Sequence, residues 1–203
     1  MATAHDVAAY LLQKPRRFTN KELQKHLFLT EAMSLAWDGI SLFSEPFEGW
    51  VDGPVVRCVR TRRAGGNADL LSGEQKQTID EVYNLHKDLS EIELIDLTHQ
   101  CKPWLDSRKG LGPRQPGHRE INRESVRQFF AKQEQAFADV FREFGLRTRI
   151  NRGRIIFAGT RQQAEEENER VCQLLHDKTL SSSKHTLLIQ ASGRCEYVEA
   201  TGA

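Results

Sequence analysis

The sequence predicts a mainly α-helical N-terminal domain followed by a small α+β C-terminal module with the element order ββαββ. Three observations support this fold class. Helix start signals recur in the first part of the chain, a predicted helix at residues 20–37 is apolar on nearly every side, and after Gly145 the apolar pattern becomes strand-like alternation. We therefore expect a helical domain at residues 1–130, a long connecting helix at 122–144, and the module at 145–203.

The helical domain is predicted from capping boxes, in which a Ser or Thr N-cap is followed three residues later by Asp, Glu or Gln. The pairs are Thr3 with Asp6, Thr19 with Glu22, Ser72 with Gln75, and Ser90 with Glu93. Gly39 is the expected end of the helix at 20–37, because glycine readily adopts the left-handed conformation found after helix ends. The helix that begins after Ser90 is expected to run into Lys102-Pro103-Trp104.

Two segments of this domain are predicted to lack long regular elements. Residues 40–60 contain aromatic residues separated by proline and glycine, which indicates a compact loop or short-strand region. Within it, Glu48 and Trp50 are a candidate pair facing a partner. Residues 107–118 are rich in glycine and proline beside basic residues, and we expect a mobile loop there.

The C-terminal third begins with the connecting helix, which Asn122 caps and Gly145 ends. Apolar residues recur along it at helical spacing: Val126, Phe129, Phe130, Phe137, Val140, Phe141 and Phe144. A hairpin turning at Asn151-Arg152-Gly153 follows, then a helix after Thr160. A second hairpin is predicted from strands at 185–190 and 194–199, turning at Ser192-Gly193.

Composition limits the classes of function. The chain has 29 basic and 28 acidic side chains, so a net charge of +1 gives no overall attraction to nucleic acid or a membrane surface. The four cysteines form no Cys-x-x-Cys pair, which favours reduced thiols and predicts no metal site. Without a signal-peptide pattern or a bilayer-length apolar run, the expected location is the cytoplasm.

No motif in the sequence indicates catalysis. We find no Gly-x-Ser-x-Gly elbow, no His-Glu-x-x-His and no glycine-rich phosphate loop, and the seven histidines are isolated from one another. We therefore expect a binding protein that is not an enzyme and uses no cofactor.

A family resemblance is carried by short motifs kept in order between residues 3 and 130. Leucine, glutamine and lysine stand together in the central helix, Glu and Trp follow, then Gly-Pro-Val, Thr-His and Pro-Trp. The residues are Leu23, Gln24, Lys25, Glu48, Trp50, Gly53, Pro54, Val55, Thr98, His99, Pro103 and Trp104. This order resembles the Panacea domain, the SocA-like or GepA-type domain of bacterial and phage antitoxins.

The resemblance implies an antitoxin of a type II-like toxin–antitoxin system that neutralises a cognate protein toxin, encoded nearby, by direct binding. Toxins vary within this family while the domain is shared, so we expect the C-terminal module to hold at least part of the partner choice. The candidate partner-binding residues are Arg147, Arg149, Arg152, Arg154 and Arg161. Three readings of these arginines stay open: they could be merely solvated, they could meet an acidic protein surface, or they could contact phosphates.

Two alternative functions fit the same sequence. The chain could be a proteolytic adaptor that presents a partner to a cytosolic protease, as the SocA-like resemblance allows. It could also bind its own operator through Arg57, Arg60, Arg62 and Arg63 or through the C-terminal arginines. The near-zero net charge and the lack of a clear helix-turn-helix count against nucleic acid as a partner, whereas homo-oligomerisation stays open.

Overall fold

The computed structural model describes residues 2–61, 65–143, 145, 148–152, 154–157, 161–176 and 195–197. Within these residues the chain is mainly helical, as predicted. The helices are α1 (Ala4–Leu11), α2 (Asn20–Asp38), α3 (Arg57–Thr61), α4 (Gly73–His86), α5 (Glu91–His99), α6 (Lys102–Ser107), α7 (Arg123–Glu143) and α8 (Arg161–His176). The strands are β1 (Glu48–Trp50), β2 (Gly53–Val55), β3 (Thr148–Asn151), β4 (Arg154–Phe157) and β5 (Cys195–Tyr197), and a 3₁₀ helix covers Ala68–Leu70.

The chain divides into two compact units, Met1–Phe130 and Ala131–Ala203. The boundary falls within α7, the helix predicted to connect the two parts.

Helix α2 is the centre of the first unit, as its sequence predicts. Both halves of the Thr19–Glu22 capping box form, and Gly39 ends the helix with φ 67°. The helix is buried from Glu22 to Leu35. Its Phe28 ring packs edge-on against Phe47 and Phe130, with centroid distances of 5.3 and 6.1 Å. Because burying one such side chain stabilises a fold by about 1.5–3 kcal/mol, this helix supplies much of the core.

The other three capping boxes also form, at the starts of α1, α4 and α5. In α4, Ile79, Val82 and Tyr83 are buried, as their spacing predicts. In α7, Val126 and Phe130 are buried within the first unit, whereas Phe144 lies outside the described residues.

The structure corrects three expected elements. The helix after Ser90 ends at His99, and α6 begins separately at Lys102. A continuous helix would place Pro103 in its interior, where proline lacks the N–H that the ladder needs, whereas the first turn of α6 tolerates it. The region at 40–60, expected as a compact loop or short strands, contains the short strands β1 and β2, but its last residues begin helix α3. The sequence spacing would place Lys14 on one face of α1 with Val7, Tyr10 and Leu11, but Lys14 lies beyond the end of that helix and pairs with Asp80.

Strands β1 and β2 form an antiparallel pair in which Glu48 lies opposite Val55 and Trp50 opposite Gly53. The chain returns to the outer edge of β1 near residue 120, where Gly49 N donates to the Arg119 carbonyl at 2.9 Å and Ile121 N donates to the Phe47 carbonyl at 2.8 Å. This small sheet lies against α2, α5 and α6.

In the second unit, β3 and β4 pair antiparallel, with Arg149 opposite Ile156 and Asn151 opposite Arg154. Strand β5 is parallel to β4 on its other side. The predicted strand at 185–190 and the turn at Ser192-Gly193 lie outside the described residues. Among the helices that the structure describes, none is both long enough and apolar enough to cross a membrane.

Candidate functional site

A pocket of about 460 Å³ opens in the first unit between the start of α2, the β1–β2 hairpin, the start of α5 and the loop at 116–118. Several residues of the ordered motifs line it or lie directly behind its wall. The lining residues used below are Lys21, Lys25, Trp50, Asp52, Arg60 and His118. A preformed concave site with an apolar wall and a few charged groups is typical of ligand and partner binding.

Lys25 lies in the floor of the pocket and is only 1% exposed. Its Nζ donates a hydrogen bond to the Pro54 carbonyl at 3.3 Å, and no carboxylate of the described residues lies within 4 Å of it. Burial without an ion-pair partner penalises the charged ammonium, which lowers the pKa of Lys25 to about 7. The amine is therefore partly neutral near physiological pH.

Gly53 makes room for this lysine. Its φ of +100° is rare for residues with side chains, and an added Cβ would lie 2.4 Å from Lys25 Nζ and 2.8 Å from Thr98 Oγ1. The Gly-Pro pair therefore has two roles here: the glycine lets the amine approach the hairpin, and the Pro54 carbonyl accepts a hydrogen bond from it.

Gln24 holds the hairpin to α2. The Gln24 side chain accepts from Val56 N at 2.7 Å and donates to the Val56 carbonyl at 3.4 Å, so it replaces a missing strand neighbour at the end of β2. Leu23 is buried beside it in the core, as is Val55 on the hairpin.

Glu48 organises the aromatic wall of the pocket. Its Oε2 accepts from Trp50 Nε1 at 2.9 Å and from Arg57 Nη2 at 2.9 Å, and it lies 3.4 Å from His118 Nδ1. The Trp50 and His118 rings meet edge-to-face at 5.1 Å. Burial raises the pKa of Glu48, but these donors outweigh it and hold that pKa below its usual value. Glu48 therefore positions Trp50, and the expectation that the pair faces a partner stays a prediction.

The Thr98–His99 and Pro103–Trp104 motifs lie behind the hairpin. The His99 and Trp104 rings stack at 4.1 Å with an interplanar angle of 7°, and Trp104 Nε1 donates to the Trp50 carbonyl at 3.0 Å. Burial and the nearby Lys25 charge lower the pKa of His99, although a hydrogen bond with the Val51 backbone opposes them. The stacked pair thus supports the strand that carries Trp50.

Arg108, which the sequence analysis did not single out, holds in place the loop whose residues 116–118 line the pocket. Its guanidinium donates to the carbonyls of Gly49, Gly112 and Gln115 at 3.0, 3.3 and 2.8 Å, and it is 7% exposed. Ser107, the first residue of the expected loop, ends α6, and the rest of the loop has no helix or strand; Arg108 ties it to β1, where the sequence predicts a mobile loop. Nothing in the spacing of glycine and proline there indicates that anchor.

The rim of the pocket is charged. Lys21 pairs with Asp52 at 3.0 Å, and the exposed Arg60 stands at the end of α3. The neighbouring Arg57 is bound to Glu48, whereas Arg62 and Arg63 of the predicted basic cluster lie outside the described residues. A charged rim around an aromatic wall suits recognition of a polar, partly aromatic or apolar protein surface.

The structure gives backbone positions for four of the five candidate partner-binding arginines of the second unit. Arg149 and Arg154 lie on β3 and β4, and the register places both positions on the same face of the hairpin. Arg152 occupies the turn with φ 51°, Arg161 begins α8, and Arg147 lies outside the described residues.

A second side-chain cluster was missed by the sequence analysis. The ligand atoms of His5, Glu45 and Cys58 lie within 4.8 Å of one another, although the residues come from three separate segments. No sequence spacing could have indicated it.

The residues of the sequence motifs therefore meet around one pocket. Several of their polar groups make hydrogen bonds within the fold that hold the pocket walls in place. Gln24 and Glu48 have hydrogen-bond partners within the fold, whereas Trp50, Arg60 and His118 border the open space. The arrangement can bind a partner through its wall and rim. Comparison of this chain with protein families, with curated proteins and with solved structures finds no match.

Proposed function

We propose that this chain is the antitoxin of a type II-like toxin–antitoxin pair, with a Panacea-like first unit, and that it neutralises its cognate protein toxin by direct binding. The observation that carries the proposal is the convergence of motif residues from α2, the β1–β2 hairpin, α5 and α6 around one preformed pocket. The sequence order of these motifs is what resembles the antitoxin domain.

The polar side chains at the pocket make hydrogen bonds within the fold, which favours binding over catalysis. Lys25 is held beneath the hairpin by Pro54, Glu48 is bound by Trp50 and Arg57, and Gln24 is bound by Val56. These residues shape a rigid cavity. The wall and rim groups that remain, chiefly aromatic and cationic, are types enriched at protein interfaces.

In this proposal the pocket is the shared contact and residues 145–203, a ββαββ module, contribute partner choice. The hairpin supports this assignment, because Arg149 and Arg154 occupy the same face and arginine is favoured where acidic protein surfaces are recognised. A strand edge in such a module could also pair with a strand of the toxin.

The test is co-expression of the full chain with the product of the adjacent gene in bacteria, scored by growth and by co-purification. The expected result is a toxic neighbour whose toxicity the full chain relieves, with the two proteins isolated as a complex. A neighbour that is harmless alone, or that never associates with this chain, would overturn the proposal.

Matched charge reversals locate the contacts. Arg60→Glu changes the pocket rim, whereas Arg17→Glu changes an equally exposed arginine outside the pocket. We expect at least tenfold weaker binding for Arg60→Glu and no change for Arg17→Glu. Equal affinities would remove the pocket from the interface.

The module is tested in the same way with Arg149→Glu/Arg154→Glu, compared with the reversal of two exposed arginines of the first unit, Arg17→Glu/Arg114→Glu. Loss of rescue only in the first double variant supports partner choice in the module. Full rescue by both double variants would exclude those two arginines from partner choice.

A further inference from the structure

His5, Glu45 and Cys58 bring three kinds of metal-ligating atom to one place in the first unit. His5 lies on α1, Glu45 in the segment between α2 and β1, and Cys58 on α3. The imidazole, carboxylate and thiol ligand atoms all lie within 4.8 Å of one another, and each residue is partly exposed. An ion could therefore reach the cluster from solvent.

Hydrogen bonds hold Glu45 in place, but only one of its two carboxylate oxygens takes part in them. Its Oε1 accepts from the Ala4 amide at 3.2 Å, and its backbone carbonyl accepts from Arg123 Nη2 at 2.7 Å. Its Oε2 is buried and has no hydrogen-bond partner among the described residues. A buried carboxylate oxygen without a hydrogen-bond partner is unfavourable, and a bound cation would satisfy it.

Among the described residues, Arg123 does not occupy this position: its Nε lies 3.3 Å from Glu31 Oε1, and its Nη2 donates to the Glu45 backbone carbonyl. The carboxylate, imidazole and thiol ligand atoms therefore lie together, within 4.8 Å of one another.

The ligand set identifies the class of metal. Nitrogen from histidine, sulfur from cysteine and oxygen from a carboxylate are all ligands that Zn²⁺ accepts, whereas Mg²⁺ and Ca²⁺ prefer oxygen alone. Tetrahedral zinc bonds of about 2.0–2.3 Å place neighbouring ligand atoms about 3.5 Å apart. Side-chain rotations that move the ligand atoms by about an ångström would close the present cluster to that geometry.

We propose that His5, Glu45 and Cys58 form a Zn²⁺-type metal site in which the fourth coordination position is open to solvent. The ion would join α1, α3 and the segment before β1, and so stabilise the first unit. Burial and the neighbouring Glu45 carboxylate raise the pKa of the Cys58 thiol, so metal binding releases a proton from it.

The test uses the full chain, stripped of metal by a chelator and titrated with Co²⁺ alone. The expected result is a near-ultraviolet thiolate-to-cobalt charge-transfer band that saturates at one equivalent and disappears when Zn²⁺ is added. Cys58→Ser should abolish the band. Cys101→Ser, which alters a buried cysteine outside the cluster, should keep it.

His5→Gln and Glu45→Gln separate the triad from adventitious binding by a cysteine alone. Each should weaken Co²⁺ binding at least tenfold while far-ultraviolet circular dichroism stays unchanged. Zn²⁺ should raise the melting temperature of the wild type and of Cys101→Ser but not of Cys58→Ser. No band in the wild type, or an equal band in folded Cys58→Ser, would overturn the site, and neither result depends on a toxin.

Discussion

Gly53 shows how one residue couples backbone conformation to the buried amine of the site. It has φ +100°, and a Cβ there would lie 2.4 Å from Lys25 Nζ, whereas Gly39 has φ +67° with open space around it. We expect Gly39→Ala to lower the free energy of unfolding by about 1 kcal/mol, which is the conformational penalty alone. Gly53→Ala should lower it by about 3 kcal/mol, because steric overlap adds to that penalty.

Urea denaturation of the two glycine variants measures this difference. Equal losses of stability would show that Lys25 can move away from the hairpin at little cost. The double variant Gly53→Ala/Lys25→Ala should recover part of the loss if the contact with the lysine is its cause.

Because the pKa of the buried Lys25 is lowered, we expect the free energy of unfolding to depend on pH. Its folded-state pKa is about 7, against 10.5 for an unperturbed lysine. Below pH 7 both states are protonated and the burial penalty is fully present. Between about pH 7 and 10.5 only the unfolded state holds the extra proton, so stability rises with pH, at most by about 1.4 kcal/mol per pH unit.

The measurement is the free energy of unfolding at pH 6, 7.5 and 9 for the wild type and for Lys25→Met. From pH 6 to 9 the wild type should gain about 2.7 kcal/mol relative to Lys25→Met. Lys21→Met is the matched control, because Lys21 is half exposed and paired with Asp52, which raises its pKa. A wild type and Lys25→Met that change in parallel would mean that Lys25 stays charged when folded.

At the scale of single elements, the N-cap of α2 gives the clearest prediction. The Thr19 hydroxyl accepts from Glu22 N at 3.1 Å and donates to Glu91 Oε2 at 2.6 Å, so it joins the starts of α2 and α5. Thr19→Ala removes both bonds and should lower the free energy of unfolding by about 1–2 kcal/mol. Thr19→Ser keeps the hydroxyl and should differ from the wild type by less than about 0.5 kcal/mol.

Urea denaturation of both Thr19 variants, with Ser72→Ala as a second N-cap, checks this prediction. Ser72 caps α4 and makes no bond to another helix in the described structure, so its loss should be the smaller of the two. A larger effect of Ser72→Ala would contradict the added role of the bond to Glu91.

The sequence could predict those elements that depend on residues close together in the chain, and it could not predict those that depend on tertiary contacts. Capping boxes join residues three apart, and all four form as predicted. The short helix α3 has no such signal, and the break between α5 and α6 depends on where Pro103 falls in the turn. Five residues without a cap form a helix only where tertiary contacts hold them, and α3 lies against α1 and α2.

The candidate site required tertiary information for a similar reason. The motif residues could be picked out in order, but the burial of Lys25 under Pro54 follows from the packing of a hairpin on a helix 29 residues away. Arg108 and the His5, Glu45 and Cys58 cluster carried no sequence signal, because their partners come from distant segments.

At the scale of the whole molecule, the distribution of buried side chains predicts how the chain responds to truncation. The unit Met1–Phe130 has a buried hydrophobic core of its own, centred on α2. The second unit, with 73 residues by its bounds, is in the size range where a core alone gives marginal stability. We therefore expect the first unit to fold without it.

A chain that stops after Gly145 retains α7 and should keep the stability of the first unit to within about 1 kcal/mol, because no described core residue of that unit is removed. Circular dichroism during urea denaturation of the truncated and full chains measures this, and Phe130→Ala is the control that damages the same core and should cost about 3 kcal/mol. If the truncated chain is unfolded, residues beyond 145 hold the first unit together. If it is folded and still relieves toxicity, partner choice lies in the first unit, and the pocket then accounts for recognition without the module.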